Sequence, residues 1–459
     1  MPIYNIKMAL CALFSIFSMF SGSIYAIGLY DVYQSALEAD PVYQIAYHQK
    51  QASSQVYQQA RALLLPQASF NISRSQVGQD IISADNTVFA AGKTHFPVEE
   101  FTIKLSQPIF NYSYWAGFRK AKVEVKRIAM EFEDLRQGLM MRVAERYFAV
   151  LAANEGANYI QAEKVSVERQ LELTKAKHKD GLVRITDLSD AQARFLQSQA
   201  REIEIQYRMN DSLLGLKEIL GHLPDYLSHF VDDIPLKRPE PEDPKAWVTS
   251  ALEQNPKILI RKFAIQEAAE EIDRQGAGRY PVVDLSASLN KRDTGGTLFG
   301  GGSDVETTEI KIELNFPIFA GGGVTSRIRE AIALHSKSLV ELRLALRQVE
   351  RDTLTAYDGI VKSLSKIKSL IKLVETNESI VEVKSTAYES GLSTNLEVLD
   401  AERALFFARS ELALARYEYI LNTLGLKRAA GIISDIDIQE ISQLFLTESE
   451  QLPLIFSTY

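Results

Sequence analysis

Residues 391–404 read GLSTNLEVLDAERA, and residues 181–194, which lie 210 positions earlier, read GLVRITDLSDAQAR. Gly-Leu, an acidic residue and Asp-Ala fall at matching positions of the two segments without a gap. Other short motifs recur in the same chain order, namely 38–41 with 253–256, 65–69 with 280–284, 107–110 with 316–319 and 214–217 with 424–427. The sequence therefore predicts two copies of one unit of about 200 residues, which is a usual domain size.

The N-terminus has the pattern of a cleavable secretory signal. Lys7 precedes an apolar-rich run at 8–20, and small residues lead to Ala26, so we expect residues 1–26 to be removed after Ala26. An uncleaved anchor is the alternative, but a run of about 13 residues is short for a helix that needs about 20 to span a bilayer. Cys11, the single cysteine, lies inside this run, so the mature chain has no thiol chemistry and no lipid attachment at the cleavage site.

Composition and motifs exclude several classes of function. The formal net charge of −8 gives nucleic-acid phosphates little to bind, so no nucleic-acid partner is expected. After the signal, no apolar stretch approaches the length of a membrane-spanning helix. The six histidines show no metal-ligand spacing, and there is no GxSxG motif and no Walker lysine after the glycines at 321–323. We therefore predict no enzyme activity, no metal and no cofactor.

Two proline-free stretches of about 65 residues, from about 116 to 179 and from 324 to 390, predict very long helices. In the second stretch, apolar residues are spaced alternately by three and four, as in a coiled coil, at Leu339, Leu342, Leu346 and Val349. Helices of this length cannot be buried in one compact core and must pack along other long helices. From the helices alone, a solvent-exposed structural coiled coil is an equal alternative to a channel.

Four segments alternate apolar and polar residues with a period of two, at 68–73, 101–106, 285–290 and 310–316. They predict two hairpins, 67–110 and 281–319, with polar, glycine-containing loops at 78–98 and 292–305. A sheet with one apolar and one polar face suits a water-filled membrane barrel. Four strands cannot close such a barrel, because open edges leave backbone groups unpaired in hydrocarbon. We therefore expect three chains to share one barrel of 12 strands.

Nearly the whole mature chain resembles the TolC-like outer-membrane efflux and type I secretion channels. The resemblance rests on LYDVYQSALEADP at 29–41, LLP at 64–66, QPIF at 107–110, GLV at 181–183, and YESGL at 388–392 followed by DAE at 400–402. It implies a mainly α fold with a transmembrane β-barrel in a homotrimer. Long antiparallel coiled-coil helices would form a periplasmic α-barrel, and four β-strands per chain would contribute to a shared 12-stranded barrel.

The resemblance also implies the location, the cargo classes and the partners. The chain would lie in the outer membrane of a Gram-negative bacterium, in contact with outer-membrane lipid, with most of its residues in the periplasm. It would pass drugs or secreted proteins after opening by a periplasmic adaptor and an inner-membrane transporter of ABC, RND or MFS type. The alternative function is a structural periplasmic coiled-coil protein without a pore, in which amphipathic strands would serve no purpose.

These expectations divide the chain into a first repeat at 27–236, a second repeat at 237–430 and a C-terminal tail at 431–459. By resemblance, the proline-rich stretch at 223–244 and the tail form an equatorial belt around the tunnel. For the tail, disorder is the alternative, given its scattered acids and few long apolar runs.

The repeated segments contain the candidate site. Gly181 and Gly391 occupy the positions of helix-ending glycines, so they mark two helix-turn tips. Beyond them, pairs of acids three residues apart share one helix face, namely Asp187 with Asp190 in the first copy and Glu397 with Asp400 in the second. Asp400 lies past the positions that cap a helix, so it is the better gate candidate. Glu397 also fits a capping box with Thr394 at the N-cap, and the cap and gate interpretations both remain open.

By resemblance, the second turn lines the constriction of a periplasmic gate. Glu397 and Asp400 would form two carboxylate rings in a trimer, and rings of acids attract cations. Tyr388 would bridge to Asp187 of a neighbouring helix pair and hold the tip closed. Similar channels carry an arginine where this chain has Ser393. The base at the tip here is Arg184, in the other copy, and it replaces the latch only if it pairs with Glu397.

Overall fold

A computed structural model describes residues 27–82, 92–224, 226–228, 234–296, 301–443 and 451–453. The predicted signal segment therefore lies outside the described residues. The chain forms two compact units, each assembled from separate stretches of sequence. The first contains the chain up to Gln44, Leu135–Ala251 and the chain from Arg351, and the second contains Ile45–Asp134 and Leu252–Glu350. Each unit takes residues from both predicted copies, and the copy boundaries at 236 and 430 stay a prediction.

Helices make up most of the described chain. In chain order they are α1 (Leu29–Ala39), α2 (Pro41–Ala62), α3 (Tyr112–Lys179), α4 (Ile185–Leu220), α5 (Pro244–Gln254), α6 (Pro256–Gly276), α7 (Gly323–Glu389), α8 (Asn395–Ala429) and α9 (Asp435–Gln443). A short 3₁₀ turn, Ala277–Arg279, follows α6. The strands are β1 (Gln67–Ile81), β2 (Gly92–Phe110), β3 (Tyr226–Ser228), β4 (Val282–Thr294), β5 (Ser303–Asn315) and β6 (Gln451–Pro453). The two predicted long helices are thus confirmed as α3, with 68 residues, and α7, with 67.

The repeated Asp-Pro and Asn-Pro dipeptides start equivalent helices. Asp40 accepts a hydrogen bond from the Tyr43 amide at 2.9 Å at the start of α2. Asn255 accepts one from the Lys257 amide at 2.9 Å at the start of α6. Proline follows at the first helical position, where its missing N–H has no intrahelical partner to lose and its φ is already helical. This part of the repeat therefore encodes a helix start.

The core of the first unit forms around α1. Its buried residues Leu29, Val32, Tyr33 and Ala36 follow the i, i+3, i+4, i+7 spacing of one helix face. They belong to one apolar cluster with α3 residues at a similar spacing, namely Leu139, Val143, Tyr147 and Val150. Tyr147 also donates a hydrogen bond to the Ser228 carbonyl at 2.9 Å. The core thus fixes the short strand β3 against α3.

The described part of the tail is folded. Asp435, at the start of α9, accepts hydrogen bonds from Tyr33 at 2.9 Å and from Arg136 at 2.8 Å. Lys427 pairs with Asp437. Strand β6 pairs antiparallel with β3. The alternative of a disordered tail is therefore wrong for 435–443 and 451–453, because buried and charged contacts hold the first segment and backbone pairing with β3 holds the second.

The proline-rich segment packs on α8. Tyr419 donates to the Lys237 carbonyl at 2.8 Å and accepts from the Lys237 amide at 3.0 Å. Trp247 donates to the Pro241 carbonyl at 2.9 Å. A segment without regular structure is thus held by side chains that satisfy its backbone.

The helices of the first unit run as two antiparallel hairpins. In the first, Lys164 and Glu202 join α3 to α4 at 2.8 Å. In the second, Lys366 pairs with Glu418 at 3.3 Å and Glu378 with Arg409 at 2.8 Å. Rising numbers on α7 meet falling numbers on α8, which confirms the predicted antiparallel pairing.

In the second unit, an ion-pair network joins α3 to α6. Arg119 contacts Glu270 at 2.7 Å and Asp273 at 2.8 Å, and Lys120 contacts Glu271 at 3.1 Å. Hydrogen bonds to Glu271, first from Arg274 and then from neighbouring donors that include Lys120, hold the pKa of Glu271 at about 2 against the opposing effect of burial. Ion pairs therefore join these two helices along this stretch.

The four long strands of the second unit form one antiparallel sheet in the order β1-β2-β4-β5. The predicted hairpins are confirmed, but the predicted loops at 78–98 and 292–305 are wrong in extent. Pairing continues to Ile81 opposite Gly92 and to Thr294 opposite Ser303. The backbone ladder persists where the apolar alternation has ended, because strand pairing depends on main-chain groups and not on side-chain polarity.

The two faces of the sheet differ in polarity. On one face, Phe70 lies opposite Ile103 and Leu285 opposite Ile312. On the other, Lys104 lies opposite Ser288 and Ser286 opposite Lys311, so the polar residues also align across strands. The apolar face is exposed in the single chain, with 60% exposure at Phe70 and 73% at Ile312. Strands of 13 to 19 residues exceed the 9 to 11 that a tilted strand needs to cross a bilayer.

Within the described ranges, no helix is long and apolar enough to cross a membrane.

Candidate functional site

The two helix-turn tips have the same backbone geometry. Gly181 and Gly391 have φ of 74° and 73°, in the left-handed region that favours glycine. In each turn, the glycine amide donates to the residue three positions earlier, and the following leucine amide donates to the residue five positions earlier. This pair of backbone hydrogen bonds is the Schellman motif, which ends a helix. The repeated Gly-Leu dipeptide therefore encodes the turn itself.

The helix that follows each turn starts differently in the two copies. In the first tip, the Asp187 carboxylate accepts a hydrogen bond from the Arg184 amide at 3.1 Å, and the Arg184 guanidinium lies 3.6 Å from the same carboxylate. An arginine side chain has no acceptor, so only the reach-back half of a capping box forms here. Asp187 thus supports the N-terminus of α4, as an acid in a first turn does.

In the second tip, Thr394 is the N-cap of α8, as predicted. Its hydroxyl accepts a hydrogen bond from the Glu397 amide at 3.3 Å. The Glu397 carboxylate accepts from the Ser393 hydroxyl at 2.9 Å and from the Thr394 hydroxyl at 3.4 Å, and it pairs with Lys384 across the hairpin. The hydrogen bond from Lys384, followed by that from Ser393, lowers the pKa of Glu397 below its ordinary value. The carboxylate of Glu397 is therefore ionised and already paired within the chain.

The remaining predicted site residues are exposed. Asp400 lies one turn beyond Glu397 on α8 and has no partner among the side chains that the structure describes. Tyr388 is 49% exposed in the last turn of α7. Among the contacts of the described residues, none joins Tyr388 to Asp187, and Arg184 pairs with Asp187 and not with Glu397. The pairing of Arg184 with Glu397 is thus not formed in one chain, because Arg184 is held by the acid three residues after it.

Lys384 is the residue of this site that sequence reasoning missed. It lies seven residues before Gly391, and Glu397 lies six residues after it. Positions nearly equidistant from a tight turn face each other in an antiparallel helical hairpin, so this spacing was a usable signal. The matching position in the first copy is Thr174, which donates to the Gln170 carbonyl and carries no charge.

A buried charge cluster lies deeper in the same unit. Glu163 on α3 is paired with Arg201 on α4 at 2.8 Å, and Arg403 on α8 lies 4.0 Å away. The Glu163 side chain is only 8% exposed, and its second carboxylate oxygen has no hydrogen-bond partner. The cluster joins both hairpins of the unit through one buried carboxylate.

No group of His, Cys, Asp and Glu with the geometry of a metal site occurs in the described ranges. What the chain offers is long hairpins with charged tips and a sheet that has one apolar face, two outer strands and no closure of its own. These features define a subunit of an outer-membrane export channel.

The chain belongs to the outer membrane efflux protein family, whose model matches residues 32–222 and 247–432. It is 29% identical over 428 residues to the outer membrane protein TolC of Vibrio cholerae, with 92% of this chain and 94% of that protein covered. It is 27% identical to the alkaline protease secretion protein AprF of Pseudomonas aeruginosa, with 92% and 88% covered. The proteases secretion protein PrtF of Dickeya chrysanthemi is 24% identical, with 94% of each chain covered.

Solved structures confirm the fold. The outer membrane protein VceC of Vibrio cholerae has a TM-score of 0.69 at 19% identity, with 88% of this chain and 96% of that chain covered. The CmeC outer membrane channel of Campylobacter jejuni has a TM-score of 0.73 at 16% identity, with 91% and 89% covered. The prediction of a mainly helical chain with four channel strands is therefore confirmed.

These findings confirm the predicted function at the level of the family. The chain is an outer-membrane exit duct of the kind that serves efflux and type I secretion, and its location is the outer membrane. A periplasmic spacer without a pore is not favoured. The family is one of efflux channels and not one of enzymes.

Proposed function

We propose that three copies of this chain form one duct, in which 12 strands close a shared barrel and the hairpin tips form a periplasmic gate. The observation that supports the barrel is the sheet of one chain. It exposes a continuous apolar face, and its outer strands β1 and β5 have no further strand beside them among the described residues. In hydrocarbon, each unpaired backbone group costs several kcal/mol, so the edges must meet strands of other copies.

Two adjacent residues of β5 test the barrel. Ile312 lies on the apolar face and Glu313 on the polar face. Ile312→Lys places a charge toward lipid, where it costs about 2–4 kcal/mol at the bilayer midplane, whereas Glu313→Lys places the same side chain toward water. We expect Ile312→Lys to remove trimers from the outer-membrane fraction and Glu313→Lys to assemble normally. Equal assembly of both variants, measured by light scattering of the detergent-extracted protein, would contradict the barrel.

Channel activity is tested in planar lipid bilayers. Purified wild-type trimers should give discrete single-channel currents, because a closed polar lumen passes ions. A trimer that inserts without discrete conductance would contradict the duct. In this assay, Glu313→Lys serves as the assembled control, and its reversal potential should move toward anions because each chain gains a positive charge on the lumen face.

We further propose that Asp400, Glu397 and Tyr388 on the second tip, with Asp187 and Arg184 on the first, act as the gate. Asp400 is the strongest member, since it is exposed, carries a charge and has no partner among the described side chains. Three copies of an unpaired carboxylate around a narrow entrance attract multivalent cations. Asp400→Asn should therefore weaken block by La³⁺ added from the periplasmic side. An unchanged half-blocking concentration would remove Asp400 from the entrance.

For the latch, Tyr388→Phe combined with Asp187→Ala should raise single-channel conductance by loosening contacts between neighbouring hairpins. Arg184→Ser separates two cases. Higher conductance assigns a latch role to Arg184, whereas no change in either variant contradicts the latch. Asp190→Ala, which changes the acid one turn beyond Asp187, is the matched control and should leave conductance unchanged.

We propose a periplasmic adaptor and an inner-membrane ABC, RND or MFS-type transporter as partners, because the sequence shows no nucleotide-binding or catalytic motif to supply energy. Type I secreted proteins and drugs are the two cargo classes. Protein cargo is supported by two similar proteins that are named for protease secretion. Deleting the gene and measuring both secreted protein and drug susceptibility separates the classes. A deletion that changes neither contradicts the export role.

A further inference from the structure

We propose that Lys384 sets the charge of the tip entrance by neutralising Glu397, so that Asp400 alone provides the uncompensated negative charge of each chain. This inference rests on the proposed function of the second tip as a gate. It changes the electrostatic expectation from two effective carboxylate rings to one, and it assigns a role to a residue outside the predicted gate set.

The contact geometry supports this assignment. Lys384 on α7 and Glu397 on α8 form an ion pair across the hairpin, with side-chain exposures of 40% and 45%. The carboxylate oxygen that meets the ammonium group also accepts from the Ser393 hydroxyl at 2.9 Å. The neutral Ser393 therefore holds the carboxylate toward Lys384 without adding charge. Asp400 shares the helix with Glu397 but has no such base among the described side chains.

The magnitude of surface ion pairs favours an electrostatic role over a structural one. An exposed pair contributes at most about 1 kcal/mol to stability, and the turn is already fixed by Gly391 and the Thr394 cap. The effect of the Lys384–Glu397 pair on a nearby multivalent ion is larger. In a trimer, three Lys384 charges offset three Glu397 charges within roughly one Debye length of the entrance. The first tip has Thr174 at the matching position, so this neutralisation is specific to the second tip.

A double-mutant cycle of charge-neutralising variants tests the proposal through the half-blocking concentration of La³⁺ on single trimers. Lys384→Met leaves the Glu397 charge uncovered, so the half-blocking concentration should fall by on the order of tenfold. Glu397→Gln leaves the Lys384 charge uncovered, so it should rise by a similar factor. The double variant removes both charges and should return to within about twofold of the wild type. Lys384→Arg keeps the charge and should match the wild type.

A second lysine on α7 controls for total charge. Lys372 lies 12 residues before Lys384 and pairs with Glu375 at 2.9 Å. That spacing is about 18 Å along a helix, which is beyond the screening length in about 0.1 M salt. Lys372→Met changes the trimer charge by the same amount as Lys384→Met and should leave the block unchanged. Reversal potentials in a KCl gradient give an independent reading, and only Lys384→Met should become more cation-selective.

The outcomes separate this inference from the proposed gate. If Lys384→Met matches the wild type in both block and selectivity while Asp400→Asn weakens the block, the gate stands and the role of Lys384 is overturned. If the double variant behaves like Glu397→Gln, the charge of Lys384 has no effect on the block once Glu397 is neutral, and the charge compensation is overturned. If wild-type trimers show no conductance at all, the proposed function fails and this inference fails with it.

Discussion

The buried carboxylate of Asp40 provides the most direct test of how the first unit is held together. Its side chain is 3% exposed and carries two separate roles. It caps α2 by accepting from the Tyr43 amide at 2.9 Å, and it accepts from Arg142 at 2.7 and 3.4 Å. Asp40→Ala removes both roles. Asp40→Asn retains an oxygen acceptor for the cap and removes the charge.

The expected losses of stability follow from these two contacts of Asp40. Loss of an N-cap costs about 1 kcal/mol. A hydrogen-bonded charge contributes about 1.5–3 kcal/mol, and we reduce this to about 1–2 kcal/mol because the Arg142 side chain is 37% exposed and partly solvated. We therefore expect the free energy of unfolding to fall by about 1–2 kcal/mol in Asp40→Asn and by about 2–3 kcal/mol in Asp40→Ala.

The assay is urea unfolding of the mature protein in one detergent, followed by far-UV circular dichroism. The chain supplies its own control, because Asn255 caps α6 with an amide and carries no charge. Asn255→Ala should lower stability by about the difference between the two Asp40 variants, close to 1 kcal/mol. The reasoning is refuted if Asp40→Asn has the same urea midpoint as the wild type, or the same midpoint as Asp40→Ala.

Three further predictions concern other parts of the chain. Gly181→Ala and Gly391→Ala should each cost about 1 kcal/mol, because the added Cβ meets no atom within 4 Å and only the positive φ is penalised; clearly unequal urea midpoints would contradict this. The pKa of Glu271 is lowered to about 2, so the stability that its ionised form contributes is complete above about pH 5 and is lost as the pH falls toward 2. In urea titrations over that range, the stability of Glu271→Gln should therefore fall less steeply than that of the wild type. Arg201→Met leaves the Glu163 carboxylate buried without its hydrogen-bonded partner and should lower stability by about 2–3 kcal/mol, whereas Glu163→Gln should cost less than about 1 kcal/mol. Thermal melts that show the reverse order would contradict a buried, charged Glu163.

Features set by local chemistry were predictable from the sequence. The proline-free stretches at about 116–179 and 324–390 correspond to Tyr112–Lys179 and Gly323–Glu389, because helix periodicity and the absence of proline act residue by residue. The glycines at 181 and 391 were placed correctly at the turns for the same reason. Left-handed φ is a property of one residue and needs no knowledge of distant contacts.

Features set by pairing between distant segments were predicted less well. The hairpin loops at 78–98 and 292–305 were expected from side-chain polarity, but backbone pairing extends the strands into both. The tail helix α9 depends on Asp435 meeting Tyr33 and Arg136, which are about 400 and 300 residues away in sequence. A scattered pattern of acids in a tail gives no sign of such partners.

The two tips show why a repeat predicts geometry better than electrostatics. The turn depends on a glycine φ and on backbone hydrogen bonds, so Gly-Leu is enough to reproduce it in both copies. Charge depends on which partner each acid finds. Asp187 pairs with Arg184 at the start of its own helix, and no ion pair joins it to α3 among the described residues. Glu397 pairs with Lys384 on the opposite helix, so the same turn geometry carries a cross-hairpin ion pair. Because the backbone hydrogen bonds of the Gly-Leu turn use none of these side chains, the two copies can differ in charge without a change of turn geometry, and the tip proposed to line the gate can acquire its own electrostatic character.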